Sequence, residues 1–225
     1  MLRVDSFYDD FDDYFKLINV RHPFDRILSA YHHFTRKVPG TLRGPGLIQL
    51  KYISKLFNTT HTRVTLEQFL QFLVSPAHLH SAVIYHDRHW DSYARSCKVC
   101  SVGYEYILRT ETSLTDSQPV LTRFDYPADY LATFKPQNQN PNQRKERAPP
   151  DEATDDITAQ YDEHSIRSMN SFEKQLPEFS EINKVLLSRL YDKYRFDFEA
   201  FGYHFDFDTN LASCAIETST GQVCC

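Results

Sequence analysis

No run of apolar residues in this sequence approaches the roughly 20 that a membrane-spanning helix needs. The first 16 residues, MLRVDSFYDDFDDYFK, hold five aspartates and no apolar stretch, which excludes a signal peptide or anchor there. A soluble chain, or the soluble part of a longer one, is expected. A basic excess is missing too: 25 Lys and Arg face 30 Asp and Glu, a formal net charge of −5. Bulk attraction to nucleic acid is therefore not expected, and any anion site must come from local placement of Arg and Lys. Glycine is scarce, with 6 residues, and there are no internal repeats. What is there is apolar and aromatic: 41% hydrophobic and 14% aromatic residues over 225 positions. That composition excludes a disordered or fibrous chain and fits one ordinary domain or a small pair, with enough residues to bury a core.

Cysteine is sparse and unevenly placed. Cys97 and Cys100 form C-K-V-C, while Cys214, Cys224 and Cys225 lie near the end. One C-x-x-C is half of a zinc site, and no second pair stands at a suitable spacing. A local disulfide or two buried thiols is the expectation, with the pairing of the five left open. A terminal Cys-Cys also occurs in prenylated small GTPases, but no G-x-x-x-x-G-K-[ST] loop accompanies it. The sequon Asn58-Thr59-Thr60 fits a secretory-pathway protein.

Residues 14 to 20, YFKLINV, read as a buried strand that ends at Arg21. Pro23 then stands where a helix begins, with Asp25 in its first turn, where negative charge favours the helix dipole. Phe24, Ile27, Leu28, Tyr31 and Phe34 recur at intervals of three and four, giving one apolar face through about Lys37. Residues 38 to 64 carry Pro39, Gly40, Gly44, Pro45 and Gly46 and read as an irregular surface excursion. Thr65 and Gln68 form a capping box for a helix over 66 to 74, with Leu66, Phe69, Leu70 and Leu73 on one face and Ser75-Pro76 as its stop. Tyr104, Tyr106 and Leu108 alternate as a second strand in GYEYILR. Ser113 with Asp116 opens a short helix that Pro119 should limit or kink. From Lys135 to about Asp156 there is no large apolar residue, which predicts a flexible insertion. A last helix over 178 to 200 presents Ile182, Val185, Leu186, Leu190, Tyr194 and Phe198, and beyond Phe207 the tail, 208 to 225, looks loosely held. Strands leading into helices predict an α/β architecture with a parallel sheet, whose ligands bind outside the carboxyl ends of the strands.

Arg21 stands at such an end. The helix N-terminus beside it offers unsatisfied N–H groups, and its guanidinium adds a bidentate donor fork, so the pair favours a phosphate. Ser29, eight residues on and about two helical turns along, offers a hydroxyl from the polar side of the same helix. The competing reading pairs Arg21 with a carboxylate and leaves Ser29 as a small helical residue. Residue chemistry alone leaves both readings open.

The segment R-H-P-F-D-R-I-L-S-A-Y resembles the R-x-P-F-x-R-L-x-S-A-Y of the Golgi carbohydrate sulfotransferases, the group with the chondroitin 4-sulfotransferases and the HNK-1 sulfotransferase. Three further segments are similar, in order: HWDSYARSCKVC to H-W-x-x-x-Y-x-x-C-x-x-C, with Tyr93 one place earlier than the motif's Tyr, YEYILRTETSLTD to Y-D-x-x-G-K-x-E-T-x-x-x-D, with Glu105 for the Asp, and LYDKYRFDFEAFGY to L-Y-x-x-Y-x-x-D-F-x-x-F-x-Y. Leu108-Arg109 depart from the usual Gly-Lys.

The resemblance implies a P-loop-NTPase-like sulfotransferase fold, a parallel sheet flanked by helices, occupying residues 1–207. It implies sulfuryl transfer from phosphoadenosine phosphosulfate to a glycan hydroxyl, of a chondroitin- or dermatan-like chain or a glycoprotein glycan, with no metal. Arg21 and Ser29 would bind the donor's 3′-phosphate. A base must take the hydroxyl proton, and His89 is the candidate, with Trp90 beside it able to stack on a sugar; the competing reading has His89 fix a loop by hydrogen bonds. His78, His80, His86 and His89 suggest a metal site only by residue type, since their spacing matches no motif. The family's 5′-phosphosulfate loop and its membrane anchor are expected upstream of residue 14, where there is no room for them. The chain therefore reads as incomplete at its N-terminus, with a Golgi lumen or Golgi membrane location implied by the resemblance alone. The alternative is a non-catalytic remnant that binds a glycan or a full-length partner.

Overall fold

The computed structural model describes residues 13–35, 45–60, 63–76, 80, 86–126 and 172–214. The chain divides into two compact units, residues 1–111 with 172–225 and residues 112–171.

In the first unit, β1 (Leu17–Val20) pairs in parallel with β2 (Tyr106–Arg109), Leu17 opposite Tyr106 and Val20 opposite Arg109. A parallel pair needs a long crossover. Here it carries α1 (Pro23–Thr35), α2 (Pro45–Leu56), α3 (Leu66–Val74) and two single-turn helices, α4 (Tyr93–Ser96) and α5 (Val99–Val102). β1 is shorter than its apolar composition predicts, because Tyr14 and Leu17 are exposed and only Ile18 and Val20 point into the core.

Helix α1 follows the expected pattern: Pro23, Phe24, Ile27, Leu28, Ala30 and Phe34 are buried, and Asp25 sits in the first turn. The capping box of α3 is complete. The Gln68 amide N–H donates to Thr65 Oγ1 at 3.2 Å, and the Thr65 N–H donates to Gln68 Oε1 at 3.0 Å. Lys193 covers the other end, its ammonium donating to the Leu73 carbonyl.

Helix α2 corrects the expectation of an irregular excursion over 38 to 64. Proline is tolerated as a first helical residue because the N–H it lacks would have no intrahelical acceptor there, so Pro45 begins the helix that it was expected to prevent. Gln49, Leu50, Ile53 and Ser54 bury one face.

The far end of the chain builds a second sheet. β3 (Phe172–Gln175), β4 (Tyr203–Asp206) and β5 (Leu211–Cys214) are antiparallel, with β5 in the middle: Cys214 lies opposite both Phe172 and Tyr203. Residues 211–214, expected in a loose tail, are therefore a central strand with Ala212 and Cys214 buried. The strand is four residues long and its sequence, LASC, has too little β-branched or aromatic character to read as one.

Between β3 and β4 run a short 3₁₀ turn, Pro177–Phe179, and the long helix α7 (Lys184–Phe201). Asn183 caps α7 by accepting the Val185 N–H at 2.8 Å. Gly202 closes it at φ 67°, a left-handed position that glycine takes without strain. The helix begins later than its apolar spacing suggests, and Val185 points to solvent at 68% exposure. Its core face is Leu186, Leu187, Leu190, Tyr194, Phe198 and Phe201.

In the second unit the described residues are 112–126. They include α6 (Ser113–Arg123), which runs through Pro119 rather than stopping there. Thr112 Oγ1 donates to Asp116 Oδ2 at 3.0 Å across its first turn. The expected insertion at 135–156 and the tail from 215 lie outside the described residues.

Of the described cysteines, Cys100 is disulfide-bonded while Cys97 and Cys214 are not, so the expected local Cys97–Cys100 bridge is not formed, and Cys97 is only half-buried.

Phe24 is the hub of the core of the first unit. Its ring meets Phe198 at 5.2 Å, Phe205 at 4.6 Å and Phe179 at 5.4 Å. It thereby joins the start of α1 to α7 and to the second sheet. Phe24→Ala is expected to cost about 3 to 5 kcal/mol, read as a lowered midpoint in urea unfolding with the slope unchanged.

Candidate functional site

At the carboxyl ends of β1 and β2 the parallel pairing sets two residues side by side. Arg21 follows Val20, and Thr110 follows Arg109 with its N–H on the Val20 carbonyl at 2.8 Å. Thr110 Oγ1 also donates to the Val20 carbonyl at 2.9 Å, and it lies 3.2 Å from Asn19 Oδ1. Above this edge opens a cavity of about 400 Å³. Arg21, Ser29 and His89, singled out from the sequence, all line it, together with Arg26, Arg88 and Thr110, which sequence reasoning passed over.

One wall of the cavity is the polar face of α1. Arg26, Ser29, Ala30 and His33 fall at the three- and four-residue steps that align side chains on a helix. The opposite face is the buried stripe of Phe24, Ile27, Leu28 and Phe34. Ser29 is half-buried and its hydroxyl has no hydrogen-bond partner among the described residues.

Arg21 does pair with a carboxylate, as the competing reading held. Its Nε donates to Asp25 Oδ2 at 2.7 Å and one Nη stands 2.6 Å from the same oxygen. Asp25 is nearly sealed, with a side chain 6% exposed, and its other oxygen takes Lys174 Nζ at 2.6 Å. Burial pushes the Asp25 carboxyl up, but the Arg21 charge and the Lys174 hydrogen bond outweigh it and hold the group below its ordinary value. Two cations share one anion, and the cluster keeps a net positive charge. Among the described residues, three arginines and no acid line the cavity. The donor set therefore suits a phosphate.

Tyr93 fixes Arg21 and Arg26. Its hydroxyl accepts the Arg21 N–H at 3.1 Å, and its ring lies 4.2 Å beneath the Arg26 guanidinium. Arg26 Nη2 donates to the Arg88 carbonyl at 2.6 Å. Tyr93 is itself held by a buried carboxylate on α7, since Asp197 accepts the Tyr93 N–H at 2.9 Å and the Ala94 N–H at 3.3 Å.

His89 approaches from the turn before α4. Asp87 Oδ1 accepts both its backbone N–H, at 2.9 Å, and its ring Nδ1, at 2.5 Å. Trp90 corrects an expectation: it is 1% exposed, packed on Phe34 and Phe69, and cannot stack on a sugar. His80 is engaged by Tyr52 and Ser75, and His78 lies outside the described residues. No cluster of three or more His, Cys, Asp or Glu able to hold a metal is present among the described residues. Nor is any described helix long and apolar enough to cross a membrane. Arg109, which departs from the motif, donates through Nε to the Phe201 carbonyl at 2.9 Å, at the C-terminus of α7 where a cation is favoured.

The family model described as "Sulfotransferase family" matches residues 5–204. The chain belongs to the sulfotransferase family. It is 29% identical over 199 residues to carbohydrate sulfotransferase 10 of Homo sapiens, covering 84% of this chain and 47% of that protein. The Xenopus laevis protein of the same name is 24% identical over 202 residues, covering 87% and 49%. Carbohydrate sulfotransferase 11 of Rattus norvegicus is 26% identical over 196 residues, covering 84% and 47%. The chain spans about half the length of the curated relatives it matches. No solved structure matches it. Within the sulfotransferase chain the missed residues carried faint signals. Arg26 is the second arginine of the R-x-P-F-x-R motif, and Thr110 is the residue that follows a parallel strand.

Two buried groups behind the cavity titrate in opposition. Burial lowers His22 to about 4 from 6.5, so unfolding takes up a proton between those values and stability rises with pH there. Burial raises Asp197 to about 6 from 3.8, so the folded state holds the extra proton and stability falls as pH rises through that window. Asp197→Asn removes the second contribution. The unfolding free energy of the variant should climb more steeply from pH 4 to 6.5 than that of the wild type, as urea titrations across the window would register.

Proposed function

We propose that this chain is the 3′-phosphate-binding portion of a carbohydrate sulfotransferase, with Arg21 and Ser29 gripping the 3′-phosphate of phosphoadenosine phosphosulfate and His89 taking the proton of a glycan hydroxyl. One observation carries the reading. The Arg and Ser of the R-x-P-F-x-R-x-x-S-A-Y segment line one cavity with two more arginines, at the carboxyl ends of a parallel strand pair. The P-loop-NTPase-like fold is part of the same proposal and is supported by that placement.

Arg21 offers a planar fork, and Asp25 with Lys174 prevents it from swinging. Ser29 adds a neutral donor two turns along α1 without adding charge. Arg26 and Arg88 supply positive charge to the mouth, where an anionic nucleotide must enter. Bound donor supplies the sulfuryl group, whose bond to the 5′-phosphate oxygen breaks as the bond to the sugar oxygen forms. His89 Nε2 accepts the hydroxyl proton, since its Nδ1 is committed to Asp87.

The acceptor is a glycan of chondroitin, dermatan or glycoprotein type, and the location is the Golgi lumen. An exposed sequon asparagine, Asn58, and a disulfide at Cys100 are consistent with an oxidising, glycosylating compartment.

Adenosine 3′,5′-bisphosphate, the desulfated donor, tests the grip by calorimetry without turnover. Arg21→Ala should weaken its binding about tenfold to a hundredfold, the loss of a charge-assisted contact, and Ser29→Ala about two- to tenfold. Retention of sulfated or unsulfated glycans with no nucleotide binding would instead favour a non-catalytic glycan-binding chain and overturn the proposal.

A further inference from the structure

As a base, His89 must carry its lone pair on Nε2, and that requires something to hold the proton on Nδ1. A histidine whose two nitrogens are equivalent to its surroundings presents either tautomer, and only the one with a lone pair on the cavity side can accept a proton. Asp87 removes that freedom. Its side chain is 14% exposed, and Oδ1 takes both the backbone N–H and the ring Nδ1 of His89. Its second oxygen is held in turn: Gln49 Nε2 donates to Oδ2 at 2.6 Å from helix α2, where Gln49 is 3% exposed.

Both carboxylate oxygens are thus occupied, from two different elements, and the Asp87 backbone carbonyl accepts the N–H groups of Trp90 and Asp91 at 3.0 and 2.7 Å. The carboxylate cannot rotate without giving up a buried donor. Burial raises the Asp87 carboxyl, but the hydrogen bonds from Gln49 and His89 bring it below its ordinary value, so it stands as an anion facing the ring. His89 Nε2 has no hydrogen-bond partner among the described residues, and its residue lines the cavity. The ring stacks on His33 at 5.6 Å and 18°, with Phe34 edge-on at 5.2 Å.

We infer that Gln49 and Asp87 are positioning residues that fix His89 in the Nδ1–H tautomer and present Nε2 to the acceptor hydroxyl. The inference rests on the proposed role of His89, and it assigns a function to helix α2 and to the residue two before the H-W pair. When His89 gains the hydroxyl proton on Nε2 its ring becomes a cation bonded at Nδ1 to the Asp87 carboxylate, so no proton has to leave the pair at that step.

Nitrogen-15 labelling of the histidines and long-range proton–nitrogen spectra at alkaline pH test this on the intact chain, with the His89 signal among the 10 histidines identified by its loss in His89→Gln. The expected wild-type pattern is a protonated Nδ1 and an unprotonated Nε2, and Asp87→Ala should move His89 toward the Nε2–H form. An Nε2–H pattern in the wild type overturns the inference, as does an unchanged pattern in a folded Asp87→Ala chain. Should Asp87→Ala fail to fold by circular dichroism, the wild-type spectrum decides alone. In a preparation that transfers sulfate, Asp87→Ala should lower kcat about 10²- to 10⁴-fold with the donor KM unchanged, and an unchanged kcat also overturns the inference. The spectra need no turnover, and nucleotide binding is read by a separate titration. Failure of the donor-site proposal is therefore distinguishable from failure of this one.

Discussion

The carboxylate of Asp25 is shared between Arg21, which precedes it by four residues, and Lys174, which follows it by 149. A carboxylate buried this deeply is costly unless paired, and removing one partner of a buried pair typically costs about 3 to 5 kcal/mol. The anion therefore draws both cations to the head of α1. That requirement ties three elements together: β1, which leads into Arg21; α1, whose first turn holds Asp25; and β3, which carries Lys174. Each contact closes a different loop of the chain, so the local geometry of the cavity edge depends on the folding of residues far from it in sequence.

The same device recurs on the other side of the cavity. Asp197, about one turn before the end of α7, reaches the first two amides of α4 and places Tyr93 where it can take the Arg21 N–H and underlie Arg26. Glu111 repeats it again, accepting the His22 N–H at 2.7 Å and the Tyr203 hydroxyl at 2.9 Å. Burial pushes both Asp197 and Glu111 up from their ordinary values, and backbone N–H donors pull against that in each. The cavity wall is thus pinned by acids whose donors are mostly main-chain groups. Main-chain donors survive every substitution except proline, which makes these joints more robust than ion pairs between side chains.

Local order was the legible part of the sequence. The proline-led helix after β1, the capping box of Thr65 and Gln68, and the strand in GYEYILR each depend on neighbours a few residues apart, and each is present. Arg21, Ser29 and His89 were visible through one motif and one H-W pair, and they share a cavity. The illegible features are those decided by distant partners. Helix α2 was hidden because Gly44, Pro45 and Gly46 look like chain breakers, and only the packing of Leu50 and Ile53 against the core reveals which role Pro45 plays. Strand β5 was hidden because four weakly β-forming residues become a strand only between two others. Val185 fits the apolar spacing of α7 yet faces solvent, since the core side is set by Leu186 and Leu187. Gln49 carried no signal: a buried glutamine is explained by its acceptor, and Asp87 lies 38 residues away.

The pairing of Arg21 with Asp25 bears directly on whether an anion can also bind. A lone Arg–Asp pair is neutral, and an incoming phosphate would then have to compete with the carboxylate for the same fork. Here Lys174 takes the other oxygen, so Asp25 is compensated without the full charge of Arg21. The Asp25 carboxylate does not line the cavity, whereas Arg21, Arg26 and Arg88 do. An anion in the cavity therefore meets positive charge first, and it meets the carboxylate only through the guanidinium that the carboxylate orients. The ion pair that a purely structural reading would cite for Arg21 is, in this arrangement, what keeps the fork aimed.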